Sequence, residues 1–403
     1  MNIDSHHQDF KFGIDVLLSN SQLKNDLRNK RVSLVAHPAS VTRGLTHSLD
    51  ALIHNGFSMV SCFGPQHGMR GEKQDNMIES DDYLDPIHKI PVYSLYGKVR
   101  RPKSEWMTSF DVCLFDLQDV GTRIYTFLTT LLYMMEACQA HQKELWILDR
   151  PNPAGRQVEG LTLRQGWQSF VGAAEIPMRY GMTLGEIAFW FKDHFKFELE
   201  LKLIKMENYG FKKPWPENTP WVNPSPNASN VFMARCFPGT VLFEGTTLSE
   251  GRGTTRPLEL FGAPEINMTK VLKLMNEMAP QWMKGCLLRP CFFEPTFNKH
   301  QKELCSGIQI HVDGSFYKEE EFQPYRLVVL FLKSLRVIYP EYPIWRNFSY
   351  EYVDDKLAID IINGSTLLRE WVDNPNSQIS DFEKMCQEDE RNWLKERTKY
   401  LLY

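Results

Sequence analysis

Four short apolar runs that each stop abruptly in polar residues constrain this chain more than any other feature. Val32-Ser33-Leu34-Val35-Ala36 gives way to His37-Pro38-Ala39-Ser40, and Met59-Val60-Ser61-Cys62-Phe63 to Gly64-Pro65-Gln66-His67-Gly68. Phe115 leads into Asp116-Leu117-Gln118-Asp119-Val120-Gly121-Thr122-Arg123-Ile124-Tyr125, and Leu145-Trp146-Ile147-Leu148 into Asp149-Arg150-Pro151-Asn152-Pro153. Continuous apolar runs of this length, separated by helical patterns, read as strands of a parallel sheet covered on both faces. Ligands of such sheets bind beyond the carboxyl ends of the strands. Turns and helix caps also use Asp, Asn, Gly and Pro, but His, Arg, Gln and Asp at four strand ends point to a ligand-facing edge.

The alternation of strand and helix from about residue 11 to 160 predicts an α/β fold built on a Rossmann-like, doubly wound parallel sheet. The first strand is not followed by Gly-x-Gly-x-x-Gly, so no dinucleotide cradle is expected there, and no cofactor is. Thr183 and Glu186 form a capping box at the start of a helix. Pro214 to Asn230 cannot be regular, because its prolines remove donors and fix φ; it reads as a shaped loop facing the cleft or bridging the domains. Between Phe243 and Pro257, hydroxyls, Glu244, Glu250, Arg252, Arg256 and three glycines make a hydrogen-bonding surface suited to a polyhydroxylated or carboxylated ligand, with the arginines able to hold a carboxylate. Helices over 268–283 and 321–338, a strand near 308–311 and an acidic helical tail follow. Two domains are expected, a Rossmann-like one over 1–242 and a smaller α/β one over 243–403 that closes the cleft.

A chain of 403 residues with a net charge of -4 offers nothing to nucleic acid or an acidic membrane. No apolar run approaches the roughly 20 residues of a membrane span. The N-terminus lacks a basic region followed by an apolar stretch, which predicts a cytoplasmic protein. The eight cysteines are scattered without Cys-x-x-Cys pairs and are expected to be reduced and structural. No metal-ligand set is legible, since His37, His67 and Asp119 sit on separate loops.

The chain resembles the exo-β-N-acetylmuramidase family, long catalogued as a domain of unknown function. The likeness is collinear from Phe12-Gly13-Ile14-Asp15 to Tyr400-Leu401-Leu402-Tyr403. It rests on Phe115 to Tyr125, Asp149 to Pro153 with Glu159-Gly160, Tyr180-Gly181-Met182-Thr183, Ser225-Pro226-Asn227, Leu242-Phe243-Glu244-Gly245-Thr246 and Ser249-Glu250-Gly251-Arg252-Gly253-Thr254. The resemblance implies a glycoside hydrolase that removes N-acetylmuramic acid from the non-reducing end of peptidoglycan fragments. A small wall-derived sugar or muropeptide would be its partner, with its lactyl carboxylate matched by an arginine.

In one place the chain departs from the family pattern. Pro65-Gln66-His67-Gly68 stands where the family usually has Pro-Glu-His-Gly, whose Glu is the proposed catalytic carboxylate, and Gln cannot transfer a proton. Glycoside cleavage needs an acid for the leaving oxygen, and either a second carboxylate or the substrate's own 2-acetamido oxygen as nucleophile. Glu72, Asp119 and Glu244 are the candidate acids, and Gln66 a group that orients the acetamido. The alternative is a homologue that binds the amino sugar without cutting it. The expected reacting centre is Gln66, His67, Glu72, Asp119 and Glu244. Around it, His37, Asp116, Gln118, Arg123, Tyr125, Asp149, Arg150, Asn152, Asn227, Ser249, Glu250, Arg252 and Thr254 are expected to contact substrate.

Overall fold

The computed structural model describes residues 9–71 and 78–403. The four apolar runs are strands β1 (Val32–Ala36), β2 (Met59–Gly64), β5 (Val112–Asp116) and β6 (Glu144–Leu148), with β3 (Tyr83–Leu84) and β4 (Pro91–Ser94) lying between β2 and β5 in the chain. An antiparallel ribbon of β7 (Glu159–Thr162) and β8 (Pro177–Arg179) interrupts the series before β9 (Leu201–Ile204). The central sheet has the order β3-β4-β2-β1-β5-β6-β9, and its pairs are parallel except β3 with β4. Every residue of β1 and β5 is buried, which is why those segments carry apolar side chains on both faces. On one face, Phe127, Leu131 and Met135 of helix Phe127–Ala140 and Ile187 of helix Leu184–His194 cover Phe115 and Leu145. On the other, Ile14, Leu17, Leu49 and Leu52 cover Leu34 and Leu114.

The second, smaller domain has its own antiparallel sheet, β10 (Leu260–Ala263), β11 (Leu287–Phe293) and β12 (Cys305–His311), in the order β10-β12-β11. Helix Pro324–Ile338 is buried from Pro324 to Leu335, and Val328, Leu332, Phe243 and Phe261 join one core with Val120 and Ile124 of the first domain. The helix expected over 268–283 stops at Met278, and a 3-10 turn, Pro280–Met283, follows, because Pro280 has no N–H to continue the ladder. The helix expected from 321 starts at Pro324, where proline's fixed φ suits the first turn. The Thr183 capping box forms as read, Thr183 Oγ1 accepting from Glu186 N at 3.2 Å and Thr183 N donating to Glu186 at 3.0 Å.

The last helix, Ile379–Arg397, crosses back to the first domain. Asp389 accepts from Thr162 N at 2.9 Å, and Trp393 Nε1 donates to Tyr180 O at 2.8 Å. Beyond it, Leu402 N donates to Glu186 at 2.7 Å and the Tyr403 hydroxyl to Asp149 at 2.8 Å. Among the described residues no helix is long and apolar enough to cross a membrane.

Candidate active site

The loops after β2 and β5 meet the second domain around a pocket with polar and apolar walls, the make-up of small-molecule sites. Its polar wall is Gln66 and His67 after β2, Tyr125 and Thr126 after β5, Ser225 of the proline-rich loop, and Glu244, Arg252, Tyr350 and Glu351 of the second domain. Ile124, Val171, Met233, Phe237, Val241 and Leu258 form the apolar side. A shallower recess shares His67 and Ser225 with it and continues along Pro38 and Arg70.

Local backbone geometry aims these groups. Gly68 N donates to Pro65 O at 2.9 Å, and the turn so closed holds His67 at φ 72°, a left-handed value costing a non-glycine residue on the order of 1–3 kcal/mol. Gly121 has φ 79°, and a Cβ there would lie 2.1 Å from Asn152 Oδ1, so only glycine lets the chain turn past β5 toward Tyr125. Thr126 Oγ1 donates to Gln66 Oε1 at 3.0 Å, which leaves the amide N–H groups of Gln66 for the pocket. Glu244 accepts from Tyr350 at 2.9 Å and from Arg252 Nη2 at 2.5 Å. Arg252 Nε donates to Glu250 at 3.0 Å, and Lys299 Nζ lies 2.6 Å from the same carboxylate. Burial pushes the Glu250 carboxyl up, but the Lys299 and Arg252 charges outweigh it and hold it below its ordinary range. No hydrogen bond among the described residues uses Arg252 Nη1.

Other expected contacts lie away from this pocket, because the protein itself satisfies them. Arg150 is bidentate to Asp116, at 2.6 and 3.0 Å, and donates to Val41 O at 2.8 Å, all fully buried. The Ser40 hydroxyl gives its proton to Asp116 O, so His37 donates from Nδ1 to Ser40 Oγ at 2.8 Å and accepts the Gln118 N–H at Nε2. That is a neutral imidazole, and burial and the Arg150 charge hold its pKa well below the ordinary value. Gln118 Nε2 donates to Asp119 O and Pro151 O, each at 2.8 Å. Asp149 caps the next helix through Thr183 Oγ1 and Gly185 N, and Asn152 pins Met182 O and Ala154 N. The crevice where an open sheet of this kind would take its ligand is thus filled with side chains.

Arg123, expected to contact substrate, instead donates to four carbonyls, Leu161, Ile176, Ile362 and Asn363, at 2.7–3.1 Å, and is 1% exposed. Ser249 and Thr254 close the glycine-rich loop onto Gly251. Asn227 is half-buried on its loop, and it is Ser225, two residues earlier, that reaches the pocket. Glu72 lies outside the described residues.

Family models for the exo-β-N-acetylmuramidase NamZ match nearly the whole chain, the N-terminal model over residues 32–232 and the C-terminal model over 235–403. The chain belongs to the NamZ family. It is 37% identical to the peptidoglycan β-N-acetylmuramidase NamZ of Bacillus subtilis strain 168, over 97% of this chain and 91% of that protein. Crystal structures of two DUF1343 family proteins from Bacteroides fragilis superpose with TM-scores of 0.85 and 0.74, at 28% and 26% identity, each covering 98% of this chain and 99% of the other.

Within this NamZ-family chain, reading the sequence missed Glu351. It is 8% exposed and lines the pocket, and the Tyr96 hydroxyl sits 3.0 Å from both its carboxyl oxygens. Burial pushes it up to about 7; Tyr96 and Arg100 oppose that shift, and Glu244 adds to it. Asp119, the acid expected at the β5 end, is likewise pushed by burial to about 7. Its Oδ2 is taken by Gly121 N at 2.6 Å and by the Tyr180 hydroxyl, and it does not line the pocket.

Proposed function

We propose that this chain is an exo-acting β-N-acetylmuramidase, a glycoside hydrolase releasing N-acetylmuramic acid from the non-reducing end of peptidoglycan fragments. The observation that carries this reading is the pocket's two-sided lining: an apolar side suited to the acetamido and lactyl methyl groups faces a wall of amide, hydroxyl, carboxyl and guanidinium groups. Arg252 is a cation on that wall, and its Nη1 is an arm available to a lactyl carboxylate. The Gln66 N–H groups orient an acetamido or hydroxyl oxygen. A 2-acetamido sugar supplies its own carbonyl oxygen as nucleophile, so a Gln at position 66 is compatible with turnover. The recess beside Pro38 and Arg70 suits the departing sugar. In this reading the setting is cytoplasmic recycling of wall fragments, since all eight cysteines are free, as a reducing compartment keeps them.

Chromophore release from an aryl β-N-acetylmuramide, beside the matching N-acetylglucosaminide, tests the assignment. Muramide-selective turnover by the wild type is the expected result. A silent wild type that gains turnover in Gln66→Glu would instead identify a sugar-binding protein without hydrolysis.

A further inference from the structure

Cleavage needs a group that hands a proton to the glycosidic oxygen, and Gln66 and Glu244, two of the pocket groups singled out by sequence, are poorly placed to do so. Gln66 has no acidic proton, and Glu244 is ion-paired with the Arg252 guanidinium, with Tyr350 donating to its other oxygen. The second domain offers another carboxyl. Tyr350 and Val353 exchange backbone hydrogen bonds of 3.2 and 3.1 Å around a two-residue turn whose central residues, Glu351 and Tyr352, have φ of 47° and 66°. Turns with both central residues left-handed are normally built from Asn-Gly, because a Cβ crowds the backbone in that region and Gly has none, while Asn tolerates it. A strained turn of Glu and Tyr at a pocket wall is the kind of local cost that functional sites carry.

We propose that Glu351 is the proton donor of this pocket, an assignment that rests on the hydrolase reading above. Its surroundings fit the role. The Arg100 guanidinium lies 4.1 Å from the centre of the Tyr96 ring and 4.7 Å from that of Tyr352, so the turn and the residue that holds the carboxyl are clamped together. Tyr96 donates toward both carboxyl oxygens and fixes the plane of the group. Among the described residues, Tyr96, Arg100, Glu244 and Tyr350 are charged or titratable neighbours of Glu351, with His67 and Arg252 on the same wall. The two carboxyls of the pocket sit in unlike surroundings, Glu244 paired with the Arg252 guanidinium and Glu351 buried, with the Tyr96 hydroxyl on both its oxygens, and pushed up to about 7, the kind of contrast that gives two carboxyls different roles.

In the first step the Glu351 proton passes to the glycosidic oxygen as the bond from C1 to that oxygen breaks, and the substrate's acetamido carbonyl oxygen closes on C1 to form an oxazolinium ring. In the second, water adds to C1, its proton returns to the Glu351 carboxylate, and the ring reopens to the acetamide. One water is consumed and the acid is regenerated.

The test compares wild type, Glu351→Gln and Tyr96→Phe on a muramic acid disaccharide, whose leaving sugar needs protonation, and on a dinitrophenyl muramide, whose leaving group does not. Glu351→Gln is expected to lower kcat/KM on the disaccharide by about 10²–10⁴-fold, to spare the dinitrophenyl glycoside, and to erase the decline of kcat/KM above about pH 7. Tyr96→Phe is expected to keep turnover and move that decline to higher pH, because the lost donor had favoured the carboxylate. Should Glu351→Gln fail to fold, the Tyr96→Phe limb decides. Equal losses on both glycosides, or a limb unmoved in Tyr96→Phe, would overturn Glu351 while leaving the hydrolase reading intact. A wild type inactive on both would overturn the two together.

Discussion

Two polar clusters stand side by side at the carboxyl edge of the central sheet, and residue type does not distinguish them. One, His37, Asp116, Gln118 and Arg150, has nearly every donor and acceptor matched within the protein. The other, Gln66, His67, Glu244, Arg252 and Glu351, faces open volume. Buried polar groups that satisfy one another hold a fold together, whereas polar groups that line a cavity keep one side turned to a ligand. A strand-end polar motif therefore announces a site only when its hydrogen bonds have been counted.

The comparison breaks most visibly under substitution of the closed cluster. Asp116→Ala leaves the Arg150 guanidinium buried without its carboxylate and should cost about 3–5 kcal/mol, read as a lowered denaturant midpoint. If stability held and muramide affinity fell instead, the two clusters would have been assigned the wrong way round. In the open cluster, Arg252→Met is expected to weaken binding of a muramic glycoside by about tenfold or more, the worth of one charge-assisted hydrogen bond. A matching N-acetylglucosaminide should lose less, and equal losses would remove the lactyl role.

A smaller effect separates Asp119 from Glu351, which carry similarly raised pKa values in different places. Asp119 goes from 3.8 to about 7 on burial, so the folded state prefers it protonated. Its contribution to stability is complete below about 3.8 and is lost as pH rises to about 7. Asp119→Asn should flatten the stability curve across that window, measured by urea titration at several pH values. An unchanged curve would show that the carboxyl titrates normally. Smallest of all, Thr183→Ala should cost about 1 kcal/mol through its lost cap and leave muramide turnover unchanged, because the box lies behind the closed cluster.

The strands were legible because burial on both faces forces uninterrupted apolar runs, and the Thr183 box because its partners are three residues apart. The family was legible in collinear motifs, and Glu244 and Arg252 in the dense stretch that carries them. Arg123 misled because a guanidinium after a strand looks available, while the four carbonyls that occupy it come from residues 161, 176, 362 and 363. Glu351 was invisible for the converse reason. Its turn lacks the Asn or Gly that marks such geometry, and its partner Tyr96 is 255 residues away in the chain.

The return of the last segment to the first domain also orders events during synthesis. The Asp149 carboxylate is buried under Thr183, Gly185 and the Tyr403 hydroxyl, and Trp393 closes over Tyr180. Of these partners, Trp393 and Tyr403 are the last to be synthesised. Thr183 and Gly185 can cap this strand end early, but its cover is completed only when the final helix and Tyr403 arrive.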